Sequence, residues 1–347
     1  MTTMTARERF LAACAGRPVD HVPVWFMRQA GRHLPEYRAL RRDMDFWTSL
    51  TTPDVAARIT LQPVERYGVD AAVLFSDILV ALPAIGAPVT FEGGKGPRVL
   101  EPVRDAEAVD ALGDASMSDL SFLAGTCRAV REASPDIAIV GFSGAPFTLA
   151  AYLVEGGGSK DWAKTRAFLH DDPETFGRLL DKTATAAEAQ IDVQIDAGTD
   201  VIQIFDSWAE VLSAEVYRDV VLPHLSRLVT HVQDRGLPCI AFAKGSPHLL
   251  EVVAESPAAV IGVDWRVPLD VARHRTSGRP LQGNLDPALM AAAPEVAVAA
   301  TRQALAAAGP GGHILNTGHG LSPEARPETV AAVVKYVQSA TLVKEAP

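Results

Sequence analysis

One alternation, repeated eight times, most limits what this chain can fold into: a short apolar, β-branched run followed by a longer amphipathic stretch. The runs fall at 22–27, 70–75, 137–142, 200–205, 239–244, 259–265, 280–285 and 313–317. Most are apolar almost throughout, as parallel strands covered on both faces must be. The stretches between them, such as 173–197, 207–235, 247–255 and 294–308, carry helical periodicity and are long enough to cross over between parallel neighbours. Eight such units predict closure into a (β/α)8 (TIM) barrel. A doubly wound sheet would need a G-x-G-x-x-G turn after the first strand. Here that strand runs into Arg28-Gln29-Ala30-Gly31-Arg32. No linker or low-complexity segment interrupts the pattern, so residues 1–347 read as one domain, and 48% hydrophobic residues suffice for one large core.

Two connections are long, 28–58 and 77–116. Both follow strands, so both belong to the C-terminal face, where barrel enzymes build their sites. They are expected to wall an active-site cleft. Polar residues stand where that face predicts them: Arg28 after the first strand, Ser76 and Asp77 after the second, and Ser143 after the third. Asp206 and Ser207 follow the fourth, Lys244 the fifth and Asp264 the sixth. Asn284 and Asp286 close the seventh, and Asn316 and His319 the eighth. The chain has two asparagines, and both land at strand ends.

Each of these residues also has a purely structural reading. Ser76 and Asp77 suit a helix cap. Ser207 with Glu210 spells a capping box, the favoured reading of Ser207. Arg28, Arg32 and Glu36 have the spacing of a surface ion-pair stripe, although Pro35 interrupts it. Tyr152 suits a packed ring. Gly156-Gly157-Gly158 has the composition of an anion cradle without the Lys-Ser/Thr of a P-loop. His319 between two glycines marks a place of close approach.

Charge and cysteine usage narrow the classes further. A net charge of −10 argues against general binding to nucleic acid or anionic membrane. Cys14, Cys127 and Cys239 are widely spaced, as in a reducing cytoplasm. The stretch 1–10 lacks an apolar core for export, and the apolar loop 78–91 is broken by Pro83, Gly86 and Pro88. There is no H-E-x-x-H, H-x-H or C-x-x-C, so no metal site is expected, and no G-x-S-x-G elbow.

Motifs then carry a resemblance. Pro23-Val24-Trp25-Phe26-Met27-Arg28-Gln29-Ala30-Gly31-Arg32 with Leu34-Pro35-Glu36-Tyr37, and Phe75-Ser76-Asp77-Ile78-Leu79, resemble two signatures of the uroporphyrinogen decarboxylase family. Further matches are Gly144-Ala145-Pro146-Phe147-Thr148-Leu149, the run from Tyr152 to Ser159, Phe205-Asp206-Ser207-Trp208, the run from Leu281 to Pro287, and Asn316-Thr317-Gly318-His319-Gly320. They run in order over nearly the whole chain. His33 stands where the family pattern has Tyr, and Gly245-Ser246-Pro247 is less glycine-rich than that pattern. The resemblance implies a barrel, a homodimer, and cofactor-free, metal-free conversion of uroporphyrinogen to coproporphyrinogen in haem synthesis. It places catalysis on Asp77 and Arg28, and substrate binding on Arg28, Gln29, Ala30, Gly31, Arg32, Asp77, Tyr152, Ser207 and His319. Three rivals fit less well. A corrinoid-dependent methyltransferase needs zinc ligands that the isolated Cys239 does not supply. A sugar-phosphate barrel leaves Arg28, Arg32 and Asp77 unexplained. A silent tetrapyrrole-binding barrel leaves the acid–base residues without a use.

Overall fold

The computed structural model describes residues 4–92, 96–115 and 117–340. Seven of the eight apolar runs form one parallel sheet: β1 (Ala71–Val73), β4 (Ala138–Gly144), β5 (Val201–Asp206), β6 (Cys239–Ala243), β7 (Val260–Gly262), β8 (Leu281–Gln282) and β9 (His313–Ile314), in that order. Five of the seven strands are shorter than their apolar runs; β4 and β5 are not. Side chains alternate between two packing environments along each strand. On β6, Cys239, Ala241 and Ala243 pack under the outer helices, while Ile240 and Phe242 pack inward with Trp25, Met27, Val140 and the N-terminal helix Ala6–Cys14. Near-continuous apolarity is therefore the mark of a sheet covered on both sides.

The first run, 22–27, does not form a ladder strand. It makes one parallel bridge, Val24 to Leu315. Its backbone still bonds both edges of the sheet: Trp25 N–H donates to Leu315 O (3.2 Å), Leu315 N–H to Pro23 O (2.9 Å), and Asp70 N–H to Val24 O (2.8 Å). The remaining amides are satisfied by side chains instead of a neighbouring strand. Val24 N–H donates to Asp70 Oδ2, Phe26 N–H to Gln29 Oε1 and Met27 N–H to Asn316 Oδ1. Buried amides must be paired, and here polar side chains do what a ladder would do.

Helices fill the crossovers. Pro294–Ala308 matches the predicted span, and Pro173–Asp196 does so to within one residue. Proline sits in the first turn of both, where its missing N–H costs nothing. The stretch 207–235 is not one helix. It breaks into the 3-10 turn Ala209–Val211, the short helix Ala214–Val216 capped by Ser213, the π turn Tyr217–Val221 and the helix Leu222–Asp234, with Pro223 at the last start. The run 247–255 likewise divides into Pro247–Leu249 and Leu250–Ala254.

The long connection 77–116 contains structure that apolar periodicity missed: an antiparallel hairpin of β2 (Val89–Glu92) and β3 (Gly96–Val99). It docks on the triple-glycine loop, with Val99 N–H donating to Gly156 O and Arg98 bridging Gly157. That glycine run is a docking edge, not an anion cradle. Phe91 of the hairpin also packs on Phe46 and Trp47, and Phe46 packs on Phe75. One aromatic cluster thereby joins the two long connections. Among the described residues no helix is long and apolar enough to cross a membrane.

Candidate active site

The C-terminal strand ends bring the predicted residues together around Arg28. Arg28 is not helical: its φ is +60°, and it is exposed. The ion-pair stripe through Glu36 does not form, because Glu36 bonds Arg66 instead. The aliphatic part of Arg28 lies on Gly320, where any Cβ would overlap it. Gly318 is packed as closely against the backbone of Trp265. The Gly318-His319-Gly320 turn is thus held between Arg28 on one side and Trp265 on the other. Gly318 is required by close approach of backbone, whereas a Cβ at Gly320 would displace the exposed Arg28 side chain.

The positive charge of Arg28 reaches Asp77, Tyr152 and His319 alike. Burial raises Asp77 above the ordinary carboxylate range; the Leu79 N–H (2.9 Å to Oδ1) and Arg28 pull the other way. Asp77 is not the helix cap considered from sequence. The next helix, Ala81–Ala84, starts from Val80 with no side-chain cap. Burial, helped by the negative field of Asp77, pushes the Tyr152 hydroxyl up to about 12, so it stays a neutral donor. His319 is pushed down to about 4 by burial and by Arg28, Lys244 and Arg266. Its Nδ1 accepts the Gly320 N–H at 2.5 Å, which leaves Nε2 as the N–H donor.

Tyr152 packs edge-on against Trp208 (5.9 Å between ring centroids) and Trp162 (5.5 Å). Ser207 precedes Trp208 and is half-buried. The capping box with Glu210 is absent: the 3-10 turn begins at Trp208 without a side-chain cap, and Glu210 pairs with Lys244 at 3.2 Å. The Lys244 ammonium lies 4.2 Å over the Trp208 ring.

Gln29 is fully buried and structural, its amide donating to Ala71 O. Ala30 and Gly31 lie half-buried on the turn after Arg28. Arg32 is exposed and forms no ion pair among the described residues. It is not one of the charges acting on Asp77, Tyr152 or His319. Asn316 braces Met27 and Asn284 bonds Asp264 O and Val267 O, so both asparagines are scaffold. Ser143 is buried against Gln190, and Asp286 caps a 3-10 turn. Asp206 accepts from Thr148 and Tyr217, and burial raises it to about 6. His33 is buried and stacks on Tyr67, away from the Arg28 group. Sequence reasoning assigned no role to Trp265 and Arg266, though both directly follow a flagged strand-end aspartate.

Comparison with known proteins begins with the fold. A methyltransferase from Methanosarcina mazei superposes with a TM-score of 0.78 at 23% identity, covering 96% of this chain and 98% of its own. A B12-independent methionine synthase from Shewanella gives a TM-score of 0.56 at 13% identity, over 84% and 88% of the two chains. At those identities the likeness is one of α/β architecture. The particular family is shown by sequence: the family model for uroporphyrinogen decarboxylase (URO-D) matches residues 5–340, and the chain belongs to that family. Relatives named uroporphyrinogen decarboxylase include those of Streptomyces avermitilis, 44% identical over 98% of this chain and 96% of the relative, and of Rhodococcus erythropolis, 44% identical over 95% of each.

Proposed function

We propose that this chain removes the four acetate carboxyls of uroporphyrinogen III as CO2, giving coproporphyrinogen III in haem and related tetrapyrrole synthesis. The observation that carries the reading is the cluster at the sheet's C-terminal end, where Arg28 acts at once on Asp77, Tyr152 and His319. Family membership over residues 5–340 supports it. The bonds from 23–25 to both sheet edges support completion of a single-domain (β/α)8 barrel, with the loops 28–58 and 77–116 as walls of the cleft.

The chemistry explains the residue types. Loss of CO2 from an acetate leaves an electron pair that needs a sink. Protonation of a pyrrole ring carbon creates one, an iminium-like cation. Asp77 accepts hydrogen bonds from the pyrrole N–H groups and opposes that positive charge from a fixed position. Arg28 and Arg32 grip rim carboxylates with two-pronged geometry. Tyr152, Ser207 and the Nε2–H of His319 donate to further carboxylates. A guanidinium is a reluctant acid, so Arg28 serves the proton step by holding a proton-bearing substrate carboxyl at the ring. No cofactor or metal enters this scheme.

The test is direct: incubate the protein with uroporphyrinogen, oxidise, and separate the porphyrins by carboxylate number. A ladder from eight to four carboxylates is expected; unchanged octacarboxylate would overturn the reading. Full activity after exhaustive chelation and desalting is the expected sign of cofactor independence. A homodimer working in the cytoplasm completes the proposal, and light scattering at micromolar concentration tests the dimer.

A further inference from the structure

Arg266 follows β7 and projects from the same strand-end face as Arg28. Its guanidinium stacks 3.8 Å over the Trp265 ring, and Trp265 faces the His319 ring at 6.4 Å between centroids. One nitrogen, Nη1, reaches both oxygens of buried Asp264, at 2.8 and 2.9 Å. Nε and Nη2 have no partner among the described residues, and the side chain is half-exposed. A planar fork fixed by a ring beneath it and a carboxylate at one corner, with two donors unused, is preorganised for another carboxylate. Its position fits as well. Trp265, with Arg266 stacked on its ring, closes one side of the Gly318-His319-Gly320 turn and Arg28 the other.

We propose that Arg266 is a further substrate-binding residue, gripping a rim carboxylate on the part of the macrocycle remote from Asp77. The proposal rests on the uroporphyrinogen reading above. In this placement Arg266 holds the edge that is not reacting. It matters for how long partly decarboxylated rings stay bound, and much less for the bond-breaking step.

The experiment compares wild type, Arg266→Lys and Arg266→Gln in two assays. In turnover, Arg266→Gln raises KM about tenfold, as expected for loss of one charge-assisted contact. It leaves the kcat for the first CO2 within about twofold, and it releases more seven- to five-carboxylate products. Arg266→Lys falls between, because it keeps the charge and loses the fork. The KM gap narrows with added salt, since the group is half-exposed. In the second assay, uroporphyrin itself quenches tryptophan fluorescence, and Arg266→Gln weakens its binding by a similar factor. A role confined to supporting Asp264 would lower the melting temperature and leave KM, product pattern and salt dependence unmoved. That result, or equal uroporphyrin affinity in a folded Gln variant, overturns the inference. Wild type without turnover would instead overturn the uroporphyrinogen reading, and the binding assay would still decide on Arg266.

Discussion

At the N-terminal ends of the strands, Asp70 meets Arg9 at 2.6 Å and takes the Val24 N–H, while Asp200 meets Arg7 at 2.7 Å and Arg131 at 2.5 Å. Arg9 spans Asp70 and Asp20 together, and with them ties the N-terminal helix to the sheet. At the C-terminal ends, Arg28 and Arg32 have no carboxylate partner among the described residues, and Asp77 has only a backbone amide. The same residue types thus serve opposite purposes at the two ends. Where charges are matched inside the protein, their removal is felt as instability. Where they are left unmatched, the proposed reading makes the substrate the missing partner.

Substitutions at each end should break that contrast in different observables. The largest effect is expected at Asp70→Ala, which strands part of the Arg9 charge and the Val24 amide. Unfolding free energy should fall by about 3–5 kcal/mol, measured by urea titration, with KM unchanged in the folded fraction. A large KM change with little loss of stability would contradict the division.

Asp77→Asn comes next. Asn retains an oxygen for the Leu79 N–H, so local structure survives while the negative charge does not. A kcat lower by about 10²–10³ is expected, with a smaller change in substrate affinity and a normal urea midpoint. Near-normal kcat would reduce Asp77 to a turn residue. Arg28→Lys and Arg32→Lys should each cost about tenfold in kcat/KM and release partly decarboxylated porphyrins. Because Arg28, unlike Arg32, acts on Asp77, Tyr152 and His319, its variant should be the worse of the two.

The smallest effect sharpens the comparison through pH. Burial pushes His33 and His313 down to about 4, and burial with nearby cations does the same to His319. At these three histidines the unfolded chain binds more protons than the native one between about pH 4 and 6.5, and the raised Asp206 offsets part of that. Stability should be full above pH 6.5 and decline as pH falls toward 4. Replacing His313 by Gln, which keeps a donor for Gly283 O, should remove about 1–2 kcal/mol of the decline between pH 7.5 and 5. Urea midpoints at those two pH values test it, and an unchanged decline would show that His313 titrates normally in the native state.

Sequence legibility followed burial. Strands β4 to β6 were readable because both faces are apolar, and Pro294–Ala308 because proline and an amphipathic stripe mark it. The run 22–27 was readable as apolar but not as a segment whose amides rely on Asp70, Gln29 and Asn316, since those partners are distant in sequence. The strand-end rule pointed to Arg28, Asp77 and His319, which the fold brings into one cluster. It also drew in Ser143, Asn284 and Asn316, because a polar residue at a strand end looks the same whether it faces the cleft or braces a neighbour. Arg266 and Trp265 escaped because their significance lies in the stack of Arg266 on Trp265 and of Trp265 against His319, which no local pattern encodes.

The bond from Met27 N–H to Asn316 spans 289 positions of the chain. Arg28 is the next residue, so the site's central arginine is anchored by one of the last strands to be made. At about 5–20 residues per second, the ribosome takes roughly fifteen seconds to a minute between the two. Throughout that interval the first apolar segment has emerged without its partner. On the proposed reading, competence is thus a late event in the life of each molecule, and a chain stopped before residue 313 would carry every residue of the first signature without the Asn316 bond that fixes Met27 beside Arg28.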